Sequence, residues 1–252
     1  MSMARLSKTV PLLKAALRPA VDYALPPRCP GCGVIVEADH SFCLSCWSGM
    51  RFLSEPSCAR CGVPFDYDRG EGAECGACIA EPPPFDSARA VLAYGDVARA
   101  VALRLKYGRR IGLARLIAGQ MARRVPPTAE LPVIIPVPLH RWRLWWRGFN
   151  QSALIAKHLG RLTGLAVDNH ALRRTRRTQP LRGMNPRVRA KAVRGAFAVE
   201  PDHNLAGRAV LLIDDVHTSG ATAAACARAL KRSGATSVHL LCWARVLPDE
   251  AD

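Results

Sequence analysis

Asp214 and Asp215 stand between four apolar residues, Val210 to Ile213, and a run of short side chains, Thr218, Ser219, Gly220, Ala221 and Thr222. Carboxylates only accept hydrogen bonds, which suits the two hydroxyls of a sugar, and they also hold metal-bound water. The short residues let successive backbone N–H groups turn toward a phosphate while the hydroxyls donate further bonds. A helix opening at Thr222 adds the favourable potential of its dipole for the anion. Val216 and His217 complete the loop and count among its candidate ligand contacts; for His217 a structural role facing the loop is the competing reading. In an open parallel sheet, ligands sit beyond the carboxyl ends of strands, so a strand over Val210 to Ile213 presents both acids where chemistry is done.

The second chemical constellation is made of thiols. Eight of the ten cysteines form four C-x-x-C pairs: Cys29 with Cys32, Cys43 with Cys46, Cys58 with Cys61, and Cys75 with Cys78. Two intervening residues let both sulfurs face one ion, and each pair supplies half of a tetrahedral Zn–S shell, so four pairs predict two structural zinc sites. Gly31, Gly33 and Gly62 give the permissive backbone that tight knuckles need. Sequential pairing is preferred, with the first two pairs in one site and the last two in the other; a cross-braced arrangement has compatible spacing. Cys226 and Cys242 have no partner pair and are expected to be buried packing thiols.

The elements that position these groups follow from composition. Residues 29–80 are too short and too poor in apolar runs to build a core without a metal staple. The linker Glu81-Pro82-Pro83-Pro84 ends that module. Beyond it, apolar runs alternate with amphipathic stretches, the pattern of a parallel sheet covered by helices. Strands are expected at Ala88 to Tyr94, Val133 to Val137, Leu165 to Val167, Val210 to Ile213 and Ser237 to Ala244. Helices are expected at Asp96 to Tyr107, Ile111 to Arg124, Phe149 to Thr163 and Thr222 to Ser233, two of them stopped by Gly164 and Gly234. No internal repeat is seen beyond the C-x-x-C pairs. The expected organisation is an N-terminal helix within 1–28, a double zinc ribbon over 29–80 and an α/β domain over 85–248.

At 252 residues and 49% hydrophobic content the chain has the composition of a globular protein. Its formal net charge of +16 favours contact with nucleotide phosphates or nucleic acid, without naming either. No run approaches the ~18 apolar residues of a spanning helix. Arg5 and Lys8 precede an apolar stretch, but Lys14, Arg18 and Pro19 interrupt it, which predicts an amphipathic helix and not a secretory leader. A cytoplasmic location is expected, where thiols stay reduced and bind metal. The run His140-Arg-Trp-Arg-Leu-Trp-Trp-Arg147 interleaves cations with aromatics, suited to gripping pyrophosphate or stacking bases.

The stretch Val210 to Thr222 resembles the 5-phosphoribosyl-1-pyrophosphate (PRPP) motif of type I phosphoribosyltransferases, departing from it at His217. Arg147-Gly-Phe-Asn-Gln151, Leu105-Lys-Tyr-Gly108 and Pro26-Pro-Arg-Cys29 add a resemblance to the competence protein ComF family, covering nearly the whole chain. The resemblance implies an α/β type I phosphoribosyltransferase fold, a mainly parallel sheet flanked by helices, behind a four-cysteine zinc-ribbon module. It implies PRPP and Mg2+ as ligands, with a role in natural transformation and DNA uptake. It also implies a pyrophosphate loop at Pro136, Val137, Pro138 and Leu139, with Lys106 and Arg147 as further PRPP contacts. The Arg-rich, acid-free segment between Leu172 and Gly195, with Thr178 and Gln179 near its centre, is expected to contain no packed element and resembles the lid of these transferases. Asp214 or Asp215 is expected to stabilise an oxocarbenium-like ribose, and Arg174, Arg176 and Arg147 the leaving pyrophosphate. Competing readings are a non-catalytic adaptor for single-stranded DNA, using Arg141, Trp142 and Trp145, and a scaffold whose ribbons dock a helicase-like competence protein.

Overall fold

The computed structural model describes residues 26–127, 130–176 and 186–247. The expected N-terminal helix lies outside the described residues up to position 25, as do positions 177–185 at the centre of the expected lid and the domain end at 248. The chain forms two compact units, residues 1–49 and 50–252.

In the first unit, Cys29 donates to Val34 O (2.8 Å) and Gly33 to Cys29 O (3.0 Å), closing a knuckle beneath an Arg28–Ile35 bridge. Helix α1 (Leu44–Ser48) follows Cys43, whose Sγ accepts from the Cys46 amide. The second unit opens on the same construction. Cys58 donates to Val63 O (2.8 Å), Gly62 donates to Cys58 O (2.8 Å), a Ser57–Pro64 bridge lies above them, and α2 (Gly76–Ala80) follows Cys75. The whole ribbon is therefore repeated, whereas the sequence shows only the repeated cysteine pairs. The repeat is carried by backbone hydrogen bonds, which many side chains satisfy equally well.

The rest of the second unit runs β1 (Ser87–Ala93), α3 (Asp96–Lys106), α4 (Leu113–Ala122), β2 (Val133–Pro136), α5 (Arg141–Arg147), α6 (Gln151–Thr163), β3 (Leu172–Arg174), α7 (Pro186–Val193), β4 (Phe197–Val199), β5 (Ala209–His217), α8 (Ala221–Arg232) and β6 (Ser237–Arg245). The main sheet has the order β1-β6-β5-β2 and is parallel throughout, so the expected α/β class holds. Its strands are apolar on both faces, as a sheet covered on both sides requires. Val210, Leu212, Val238 and Leu240 share a core with Cys226 and Leu230 of α8. The alternate residues Leu211, Ile213, Leu241 and Trp243 are equally buried, with Trp243 donating to Gln120 Oε1 of α4 (2.6 Å). Helices α4 and α6 pack on each other, α4 also against β6 and α6 against β2 and β5. Cys226 and Cys242 are buried packing thiols, as expected.

Local sequence accounts for the helix boundaries near the site. Asp96 opens α3 and Arg104 and Lys106 close it, each charge complementing the helix dipole. Asn150 caps α6 by accepting from Ser152 N at 3.0 Å, and Gly164 ends it in the left-handed conformation (φ +75°).

Three expectations are corrected. Leu165 to Val167 forms a single parallel bridge, Val167 with Ile134, and not a strand, because the segment bonds to β2 at Ile134 alone, through Ala166 O (2.8 Å) and Asp168 N (2.9 Å). β5 does not stop at Ile213; it continues to His217 because β6 stays in register alongside it, Asp214 opposite Cys242 and His217 opposite Arg245. The segment between Leu172 and Gly195 does contain packed elements. β3 pairs antiparallel with β4, Leu172 opposite Val199, and α7 packs on α8.

Candidate functional site

The acidic pair lies within β5, near its carboxyl end. Asp215 is buried (3% exposed) and Asp214 is half-buried beside it. Lys106, the last residue of α3, places its Nζ 2.5 Å from Asp215 Oδ2. Gln151 Nε2 donates to Asp215 Oδ1 (3.4 Å), and Gln151 Oε1 in turn accepts from Arg147 Nη1 (2.6 Å). Arg147 also lies over the Tyr107 ring, 5.1 Å from its centroid. On the other carboxylate, Ser152 Oγ (3.1 Å) and the Asp215 amide (2.9 Å) both donate to Asp214 Oδ1. One helix start, Asn150-Gln151-Ser152, thus touches both acids and the pyrophosphate-loop candidate, since Asn150 Nδ2 donates to Val137 O at 3.0 Å.

The two carboxyls are electrostatically unequal. Burial, with the neighbouring Asp215 charge, pushes Asp214 up to about 7. Burial alone would raise Asp215 too, but the charge and hydrogen bond of Lys106 hold it below the usual carboxylate range. For Lys106 the loss of water would lower the pKa, and the Asp215 charge reverses that and raises it. The geometry therefore keeps Asp215 ionised and leaves Asp214 as the responsive member of the pair.

Beyond His217 the chain enters the small-residue loop. Thr218 and Ser219 are exposed, and Gly220 adopts φ +74° at the start of α8. The amides of Ala221, Thr222 and Ala223 begin α8, where the helix itself supplies no acceptor; its first bond runs from Ala224 N to Gly220 O (2.8 Å). His217 is buried (8% exposed), packed edge-on to Phe85 at 6.2 Å, and lies below Gly220, where a Cβ would stand 3.2 Å from its Cε1. Burial, assisted by Arg245, drives its imidazole down to about 3, so it sits neutral beneath the loop.

Of the remaining candidates, Pro136 ends β2, and Val137, Pro138 and Leu139 follow it toward α5. Arg174, on β3, lies over the Phe197 ring (5.3 Å); burial and the Arg143 charge lower its pKa, and Asp214 offsets this only in part. Arg176 is exposed at the edge of the described residues. Gln151 and Ser152 were missed by sequence reasoning as site residues. Gln151 closes the Arg147-Gly-Phe-Asn-Gln151 motif and the Asn150 cap fixes where α6 starts, but neither says that its first turn meets β5.

The thiols gather sequentially. Cys29, Cys32, Cys43 and Cys46 form one cluster, and Cys58, Cys61, Cys75 and Cys78 the other, with all sulfurs of a cluster within 4.8 Å of one another. Zn–S bonds of ~2.3 Å in a tetrahedron require sulfurs about 3.8 Å apart. Cys32 and Cys43 are separated by 3.6 Å, and Cys61 and Cys75 by 3.7 Å. Amides of Cys43 (3.4 Å) and Cys75 (3.2 Å) donate to Cys29 and Cys58. Burial raises both thiols, yet these and neighbouring amides bring Cys29 to about 6 and Cys58 to about 7. Burial and the neighbouring thiols push Cys46, Cys61 and Cys78 up, so that a cation is needed for all the thiols of a cluster to ionise together. Both clusters fit structural zinc, and the preferred sequential pairing holds over the cross-braced one.

Comparison with known proteins agrees. Residues 20–79 match the double zinc ribbon domain family. The DNA utilization protein YhgH of Escherichia coli O157:H7 is 32% identical over 230 residues, spanning 88% of this chain and 99% of YhgH. Competence protein F of Haemophilus influenzae is 27% identical over 226 residues, spanning 86% and 96%. The chain belongs to the competence protein ComF family. Among solved structures, the glutamine PRPP amidotransferase of B. subtilis superposes with a TM-score of 0.35 at 23% identity, over 51% of this ComF-family chain and 26% of the amidotransferase. Among the described residues of this family member, no helix is long and apolar enough to cross a membrane.

Proposed function

We propose that this ComF-family protein binds PRPP with Mg2+ at the carboxyl end of β5 and acts as a phosphoribosyltransferase. The observation that carries the reading is the direct succession of two carboxylates, a small-residue loop and the N-terminus of α8. Asp214 and Asp215 accept from the ribose diol, and the amides following Val216 hold the 5-phosphate. The donor set fits magnesium, which binds through one or two carboxylates plus substrate phosphates. Asp214 would hold it, since the bonds from Ser152 Oγ and the Asp215 amide both fall on Oδ1. Magnesium held there with PRPP would supply charge screening for the pyrophosphate group. Lys106 keeps Asp215 charged under the ribose, Asn150 fixes the Val137 carbonyl in the pyrophosphate loop, and Arg174 and Arg147 supply positive potential. The eight metal-binding thiols suit a reducing cytoplasm.

Calorimetry with PRPP and Mg2+ on zinc-loaded protein is expected to show binding that Asp214→Asn/Asp215→Asn weakens at least tenfold. No heat from the wild type would remove the reading. Release of pyrophosphate with candidate acceptors then separates a transferase from a PRPP-binding protein.

A second reading rests on α5. This helix buries none of its residues, and Trp142, Trp145 and Trp146 are 55%, 77% and 69% exposed among Arg141, Arg143 and Arg147. Such a face suits stacked bases of single-stranded DNA, each worth about 1–3 kcal/mol. We expect an oligo-dT to bind at low salt, to weaken steeply as salt rises, and to lose about tenfold or more in Trp142→Ala/Trp145→Ala. Equal anisotropy titrations for wild type and variant would dispose of it.

A further inference from the structure

Away from the acidic pair, α7 and α8 flank a cleft of about 570 Å³ lined by Lys191, Arg194, Gly195, Ala225, Arg228 and Arg232. Lys191 and Arg194 stand three residues apart on one wall, and Arg228 and Arg232 four apart on the other, so each pair presents one face. All four cations are exposed, and no acid lines the cleft. Two neighbouring cations are paired: Arg173 with Glu200 at 3.1 Å, and half-buried Lys231, adjacent to Arg232, with Asp86 at 2.7 Å. None of the four cleft cations has a carboxylate partner among the described residues. Cations near helix C-termini are favourable singly, which explains Lys191 and Arg232 but not two basic walls facing one space. Four like charges around one cleft repel, and an anion between them relieves that repulsion.

We propose that this cleft is a second anion site, built for a small oligophosphate. A single phosphate would engage one wall, whereas adjacent phosphate groups meet both. Three of the four cations are arginines, whose planar forks take phosphate oxygens two at a time. The floor is small, Ala225 and Gly195, which leaves the space between the walls to the ligand. The site is distinct from the phosphate loop. Arg228 lies six residues beyond Thr222 along α8, about 9 Å at 1.5 Å per residue, and Arg232 lies farther still. The inference does not depend on PRPP binding.

The test is calorimetric titration of zinc-loaded, full-length protein with inorganic tripolyphosphate at low ionic strength. Arg228→Gln/Arg232→Gln and Lys191→Gln/Arg194→Gln are each expected to weaken binding about tenfold or more, because either wall alone is insufficient. Arg115→Gln/Arg161→Gln removes the same charge from exposed positions on α4 and α6 and is expected to leave affinity within about twofold, as is Thr222→Ala in the phosphate loop. Absence of binding overturns the proposal, as does equal weakening by the α4/α6 control or a loss confined to Thr222→Ala. An oligo-dT that depends on the cleft arginines while tripolyphosphate does not would overturn it in favour of a nucleic-acid path. Apart from half-buried Thr222 the substituted side chains are exposed, and retained zinc content with an unchanged unfolding midpoint establishes that a variant is folded.

Discussion

Lys106→Met is expected to lower stability by about 3–5 kcal/mol, because it strands a buried carboxylate without its cation. Asp215 is 4% exposed at its side chain and Lys106 23%, so the partners are not equivalent. After Asp215→Asn, the ammonium can lean toward water along its flexible stem, and that variant is expected to cost less. The double variant Lys106→Met/Asp215→Asn should recover part of the loss, since no uncompensated charge remains. In a unit of this size the single substitution corresponds to a drop of roughly 6–20 °C in Tm. Urea unfolding checks it through a lowered midpoint at unchanged slope. The pH dependence has a definite sign. The folded-state pKa of Asp215 is depressed, so its contribution is present above the unfolded carboxylate value near 4 and is lost as pH falls. The gap between wild type and Lys106→Met should therefore narrow on acidification. A loss under about 1 kcal/mol at neutral pH would mean that Asp215 finds another partner.

Gly62→Ala is the second large effect, at about 2–5 kcal/mol, with weakened zinc retention at the second cluster. Gly62 has φ +70°, where an L side chain costs roughly 1–2 kcal/mol. Its Cβ would also stand 2.3 Å from the Ala88 carbonyl oxygen, a backbone atom of β1 that cannot swing aside. Overpacking of this kind adds roughly 1–3 kcal/mol. Gly70→Ala is the internal control. It has φ +88° but nothing within 4 Å of the added methyl, so it pays the conformational cost alone. Denaturant midpoints of the two variants, with zinc release to a colorimetric chelator, separate strain from clash. Equal losses would show that the close approach to β1 is unimportant.

The sequence foretold most where burial imposes a period or chemistry imposes a spacing. The cysteine pairs, the apolar strands at β1, β2, β5 and β6, and the amphipathic helices α3, α6 and α8 all carry such signals. The misses lie where neither operates. α5 buries no residue, so it has no apolar stripe to read. β3 and β4 are three residues each, and β3 has one buried residue among two arginines. The extension of β5 through Asp214 and Asp215 depends on β6 remaining alongside, a long-range fact that two adjacent acids argue against locally. The link from Lys106 through Asp215 to Gln151 and Arg147 joins four elements distant in the chain. Each residue alone looks like a solvated polar side chain.

The second ribbon is joined to β1 through the main chain as well as through chain continuity. Leu53 donates to Val91 O (2.9 Å), Ala93 to Arg51 O (2.9 Å) and Ala88 to Arg60 O (2.7 Å), while Arg89 reaches Ala59 O (3.0 Å) and Arg245 reaches Cys61 O. β1 is the outermost strand of its parallel sheet, and these bonds occupy the groups it would otherwise offer to solvent. Stripping the metal from that ribbon would thus do more than loosen a small appendage. It would bare a long apolar strand border able to recruit other chains, so that zinc starvation would make this unit aggregation-prone.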